Sequence, residues 1–163
     1  MEIETKIPTQ LRENGIGFVK LRSRTKIPIE NDWQKNPYSY EEILPWIEQG
    51  NNYGVLGGYG DLIVVDVDTE EISQAAKDML PDTFTVKTSK LFHYYYISYD
   101  IKNKIVLMKG KEHHGEIIST GSQVVGPGSI HPDTGKPYEV VNDVEIAEIS
   151  QEEIFDSLAE YIL

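Results

Sequence analysis

Leu62-Ile63-Val64-Val65-Asp66-Val67-Asp68-Thr69 decides the fold. Its first four residues are apolar and three of them are β-branched. That reads as a strand buried on both faces, because a strand with one wet face would alternate. Two carboxylates follow at i and i+2, and the alternation of side chains turns Asp66 and Asp68 to the same side. Two like charges at the end of a buried strand are unfavourable unless a cation lies between them. A blander alternative is a strand end whose acids reach solvent, or cap a helix beginning near Glu70. The burial that precedes the pair favours a metal.

The chain around this strand has 163 residues, enough for one domain with a proper core, and its 10 Tyr and 4 Phe suit a folded globule. The absence of cysteine excludes disulfides, thiolate zinc sites and a cysteine nucleophile. A formal net charge of −12 leaves no bulk basic footprint for non-specific nucleic-acid binding. Contact with DNA or RNA must then use a local patch or metal ions, which suits an enzyme better than a simple binding module. No apolar run is long enough to span a bilayer and no leader pattern opens the chain, so a soluble, cytoplasmic protein without membrane contact is expected.

Upstream of the Asp66 strand, Met1 to Asn14 reads as a short helix or arm carrying Ile3, Ile7 and Leu11, and Ile16 to Leu21 as a strand. Arg22 to Asn36 is polar and turn-rich, with Arg22, Arg24, Lys26 and Lys35 forming a basic cluster. It is either a solvated loop or one that faces phosphate. Ser39 and Glu42 form a capping box for a helix that ends near Gly50 and that Pro45 should shorten or kink. Tyr53 to Leu56 is a strand, and Gly57-Gly58-Tyr59-Gly60-Asp61 reads as a hairpin turn into the Asp66 strand. The glycines do not make a phosphate loop, since a strand follows and no Lys-Ser/Thr closes the motif.

Downstream, Glu70 to Leu80 has a helical apolar face, and Thr83 to Val86 and Phe92 to Tyr99 are strands around the Lys87 to Lys90 turn. Short strands follow at Ile105 to Met108, Glu116 to Ser119, Val124 to Val125 and Tyr138 to Val141. Ser150 and Glu153 start a closing helix. The pattern is α+β, a mostly antiparallel sheet with flanking helices.

Singly, His93 near the start of a strand and Glu116 at the edge of another are unremarkable. Two aspartates, a histidine and a later glutamate on separate strands together suit divalent cations and a triphosphate. Carboxylates bind Mg²⁺ or Mn²⁺ and leave positions for phosphate oxygens, while imidazole can donate to phosphate.

The order Asp66-Val67-Asp68, then Ser89 to His93, then Glu116 resembles the three signature motifs of the archaeo-eukaryotic primase superfamily. The likeness is to its bifunctional primase–polymerase (prim-pol) branch of archaeal plasmids, viruses and mobile elements. Gly15 to Val19 with Lys26-Ile27-Pro28 and Trp33 is similar to that branch's N-terminal strand and loop. Asn52 to Gly57 resembles the strand before the aspartates, and Gly121 to Tyr138 the glycine, proline and Ser-x-His-Pro segment after the third motif.

The resemblance implies a single catalytic domain over 1–163, an RRM-like core with an N-terminal αβ unit. It implies DNA primase or DNA polymerase activity in DNA replication, on a single-stranded or primed DNA template with NTP or dNTP. Asp66, Asp68 and Glu116 would hold two Mg²⁺ or Mn²⁺ ions. His93 would contact the nucleotide, with Ser89, Lys90, Ser129, His131 and Lys136 as further nucleotide contacts. A helicase or an accessory helical domain is the partner that relatives carry. The chain departs from the pattern at Leu91-Phe92, where relatives have small residues, and at Glu116, where aspartate is usual. Three alternatives stay open. One is a prim-pol-like module that binds nucleotide or nucleic acid but has impaired activity. Another is a haloacid-dehalogenase-type phosphatase, whose Asp-x-Asp-x-Thr motif Asp66 to Thr69 matches locally, and the last is a partner-binding domain.

Overall fold

The computed structural model describes residues 7–12 and 15–162. Of the predicted N-terminal arm, residues 1–6, 13 and 14 lie outside the described residues. The remainder includes a 3-10 turn at Thr9–Leu11, with Ile7 and Leu11 fully buried.

Ten strands form two sheets. The smaller is antiparallel and joins β1 (Gly17–Lys20), β2 (Tyr53–Leu56) and β8 (Gln123–Val125) in that order. The larger has seven strands. Its order is β6 (Ile105–Lys109), β7 (Glu112–Ile118), β3 (Leu62–Val67), β5 (Phe92–Ile97), β4 (Thr85–Lys87), β9 (Glu139–Asn142). The short β10 (Ala147–Glu148) lies parallel to β5, and all other pairs are antiparallel.

The apolar run is continuous in β3 because both of its faces are covered. Leu62 and Val64 join Phe18, Tyr53 and Val55 in a core beneath the small sheet. Ile63, Val65 and Val67 join Ile72, Ala76, Ile154 and Leu158 beneath the helices α2 (Glu70–Met79) and α3 (Gln151–Ser157). The expected α+β architecture, a mostly antiparallel sheet with flanking helices, is the one observed.

Both capping boxes form: the Ser39 hydroxyl accepts from the Glu42 N–H while Glu42 accepts from Ser39, and Ser150 and Glu153 do the same. Helix α1 (Tyr40–Glu48) carries Pro45 without breaking. Glu41 is exposed, so the carbonyl that Pro45 leaves unbonded can reach water.

The segment Gly57 to Asp61 is not a hairpin turn, because β2 and β3 lie in different sheets. Gly58, Gly60 and Asp61 have positive φ (89°, 66° and 58°), which lifts the chain out of one sheet and into the other. The Gly57 backbone passes so close to Ser119 that a Cβ would overlap it. A second crossing runs beside it, where residues 119–122 carry the chain from β7 back to β8. Both crossings lie at the end of β3 remote from Asp66.

Candidate active site

Asp66 sits at the centre of a row that runs across three adjacent strands. In register it faces Glu116 on β7 and His93 on β5. Directly opposed residues share a face and hold their Cβ atoms about 5 Å apart. That face is the one on which Leu62 and Val64 are covered by the small sheet. At Asp66 the cover ends, leaving its side chain 25% exposed, whereas His93 is 7% exposed.

The strand end beyond Asp66 is held by β7. The β6–β7 register shifts between Leu107 and Met108, which face Gly115 and His113, so His114 is the extra residue of a bulge. Gly115 adopts φ 154°, a region open essentially to glycine, and a Cβ there would overlap the Asp66 carbonyl oxygen. The His114 carbonyl accepts the Asp68 N–H at 2.8 Å. Its buried ring places Nδ1 2.6 Å from the Thr69 hydroxyl, which caps α2, and meets the Tyr161 ring at 5.0 Å. His114 therefore fixes where Asp68 leaves the sheet.

Each acid of the expected metal set has a basic neighbour. His93 Nε2 lies 3.4 Å from Asp66 Oδ1, His113 Nδ1 lies 3.5 Å from Asp68 Oδ2, and Lys104 Nζ lies 3.2 Å from Glu116 Oε2. Burial, followed by the charge of Asp66, raises the Asp68 carboxyl above the ordinary aspartate range, with Glu116 adding to the effect. The three acids thus share one negative field. Among the described residues, however, no three Asp, Glu or His side chains converge closely enough to hold an ion as they stand. The donors fit a hard divalent cation in chemistry, and Asp66 and Glu116 stand opposite each other on the sheet with Asp68 just beyond its end. Glu116 would have to exchange Lys104 for the metal.

A cavity of about 110 Å³ opens over Asp66, Asp68 and His93, and is lined by Ser89 and Lys90 from the β4–β5 turn. A second cavity of about 410 Å³ shares Thr88, Ser89, His131 and Tyr138 with it and adds Lys87 and Lys136. Tyr138 stands between the His93 ring at 6.1 Å and the His131 ring at 5.6 Å. Burial and the nearby charge of Asp66 push its hydroxyl up to about 12, so it stays protonated at neutral pH. The backbone N–H groups of Asp133 and Thr134 lie 3.1 and 3.4 Å from His131 Nδ1. They can donate only to an unprotonated nitrogen, so the neutral ring carries its proton on Nε2. His93 Nδ1 is buried without a hydrogen-bond partner.

Asp66, Asp68, His93, Ser89, Lys90, His131 and Lys136 are therefore brought to one connected space. Glu116 stands beside Asp66 on the sheet but does not line either cavity. Ser129 is not brought in: its hydroxyl accepts the Tyr53 N–H at 3.1 Å and closes a gap between β2 and the Ser129–Tyr138 hairpin. Reading the sequence missed Tyr138, Lys87 and the bulge at His114. The lone signal for the bulge was Gly115 between polar and apolar halves of one strand.

Residues 9–152 match the family model Prim-Pol, described as bifunctional DNA primase/polymerase, N-terminal. Comparison with curated proteins gave no match.

Proposed function

The chain belongs to the Prim-Pol family, and from that membership we propose that it acts, as a single catalytic domain, in template-directed nucleotidyl transfer at the Asp66 cavity. The family supports primase/polymerase-type chemistry on a DNA template with nucleotide substrates. The observation that carries the placement is that Asp66, Asp68 and His93 line one cavity with Lys26 and Lys90, while Glu116 stands opposite Asp66 on the neighbouring strand.

Asp66, Asp68 and Glu116 would hold Mg²⁺ or Mn²⁺. When bound, such ions lower the pKa of the attacking 3′-hydroxyl and neutralise charge on the leaving pyrophosphate. The protein's own part is positioning and electrostatics. His131 presents its Nε2–H as a donor to phosphate oxygen, while Ser89, Lys90 and Lys136 offer further donors around the same space. His93, buried against Asp66 and stacked on Tyr138, orients the carboxylate and forms part of the wall of the cavity that would hold the phosphates. The primer 3′-hydroxyl attacks the α-phosphorus in line, its proton passes to solvent, and pyrophosphate leaves.

Asp66→Asn should reduce dNTP incorporation on a primed single-stranded template by at least a hundredfold and leave the circular dichroism spectrum unchanged. Undiminished incorporation would remove this site from consideration. A second reading, a module that binds nucleotide without polymerising it, is favoured by the Lys104–Glu116 pair and the absence of a preformed ligand cluster among the described residues. Nucleotide binding without incorporation in either Mg²⁺ or Mn²⁺ would select it.

A further inference from the structure

We infer that Lys26, on the turn between β1 and α1, is a ligand of the nucleotide's polyphosphate. This assignment rests on the reading above. The turn is pinned on every side. The Arg22 N–H donates to the Ile27 carbonyl at 2.9 Å and the Thr25 hydroxyl to the Arg22 carbonyl at 3.0 Å. The buried Asn52 side chain donates to the Thr25 carbonyl at 2.9 Å. The same amide donates to the Ile130 carbonyl and accepts the Ile130 N–H, each at 2.9 Å, so it staples the basic turn to the hairpin that carries His131. Gln123 completes the anchoring by donating to the Lys26 carbonyl at 3.3 Å.

The backbone of Lys26 is thus fixed while its side chain is exposed and lines the cavity of Asp66, Asp68 and His93. Lys26 makes no ion pair with any carboxylate of the described residues, even though the chain carries a net charge of −12. Lys90, Lys87 and Lys136, which line the adjoining space from the other side, are likewise without a carboxylate partner among the described residues, Lys87 resting over the Phe92 ring. Ammonium groups without a carboxylate partner, lining two adjoining cavities from both sheets, match a ligand with several closely spaced negative charges. A triphosphate has that charge density, and a single phosphodiester does not. Lys26 is the cation supplied from the small-sheet side, so the ligand it takes bridges the two sheets.

The test is isothermal titration of the full chain with dATP, with dAMP and with inorganic tripolyphosphate, each in Mg²⁺, for the wild type, Lys26→Met and Lys26→Arg. Lys26→Met should weaken dATP and tripolyphosphate by about tenfold or more, the worth of one charge-assisted phosphate contact. It should leave dAMP affinity and the melting temperature unchanged, and Lys26→Arg should restore most of the loss. Unchanged dATP affinity in Lys26→Met overturns the assignment. So does a loss confined to binding of a single-stranded oligonucleotide, which would move Lys26 to the template surface. If the wild type binds neither dATP nor tripolyphosphate, the nucleotidyl-transfer reading fails and this assignment with it.

Discussion

Asp68 holds a charge that folding does not favour. Its carboxyl is raised by burial and then by Asp66, so its ionisation costs stability in full above the folded-state pKa, and the cost fades as the pH falls until the group is protonated in the folded and unfolded chain alike. Asp68→Asn should therefore raise the melting temperature at pH 7, and the gain should vanish as the pH falls to about 3, where the wild-type group is neutral too. A gain that persists at low pH would assign the effect to packing. Glu116 differs, because its carboxylate rests against the Lys104 ammonium at 3.2 Å. Lys104→Met removes the ammonium that competes for that carboxylate, so Mn²⁺ should bind severalfold more tightly by electron paramagnetic resonance of the free ion. Equal or weaker Mn²⁺ binding would mean that Glu116 does not share the metal site. The two aspartates were legible in the sequence because a four-residue apolar run announced the strand that carries them. Lys104 was not, because its partner is set by β6 lying beside β7, a pairing that no local pattern encodes.

Among the elements, β7 most directly controls the acids. Its bulge delivers the His114 carbonyl to the Asp68 N–H and brings Gly115 against the Asp66 carbonyl. Gly115→Ala introduces both a forbidden φ and a backbone overlap, so it should cost about 2 kcal/mol or more of stability and reduce incorporation beyond what that loss explains. Denaturant titration and a primer-extension assay on the same preparation separate the two effects. Sequence patterning started this strand at Glu116, whereas it begins at Glu112. The reason is that His114 is buried by Tyr161, which arrives from the far end of the chain, so a polar half reads as loop until its tertiary partner is known. By contrast, α2, α3 and the Ser150 cap of α3 were readable because apolar spacing and capping boxes are local signals, while the cap of α2 proved to be Thr69 and not one of the aspartates.

For the whole molecule, the net charge of −12 opposes DNA except where the lysine-lined space faces outward. Affinity for a single-stranded template should accordingly rise with Mg²⁺ and show a shallow salt dependence. A log–log slope no steeper than about −3 corresponds to roughly four phosphate contacts. A steep slope of about −7 would require a broad basic face, at odds with a net charge of −12. Sheet membership was the least legible level: continuous burial of β3 was readable, but the hairpin expected at Gly57 to Asp61 proved to be a passage between sheets. A turn sequence specifies a reversal of direction and not the neighbour that follows.

Those passages give the fold a clasp-like construction. The chain moves between the sheets at residues 57–61 and 119–122, side by side, and a third time through the Ser129–Tyr138 hairpin above the acids. The first two lie at the end of β3 remote from Asp66, and the third passes over the cavity of the acids. A nick at the exposed tip around Asp133 to Lys136 would separate Tyr138, β9, β10, α3 and Tyr161 from a fragment that keeps every proposed carboxylate ligand and both of the other crossings. The tip is thus a natural place to divide the protein into two pieces whose reassembly would rebuild the wall that Tyr138 gives the cavity.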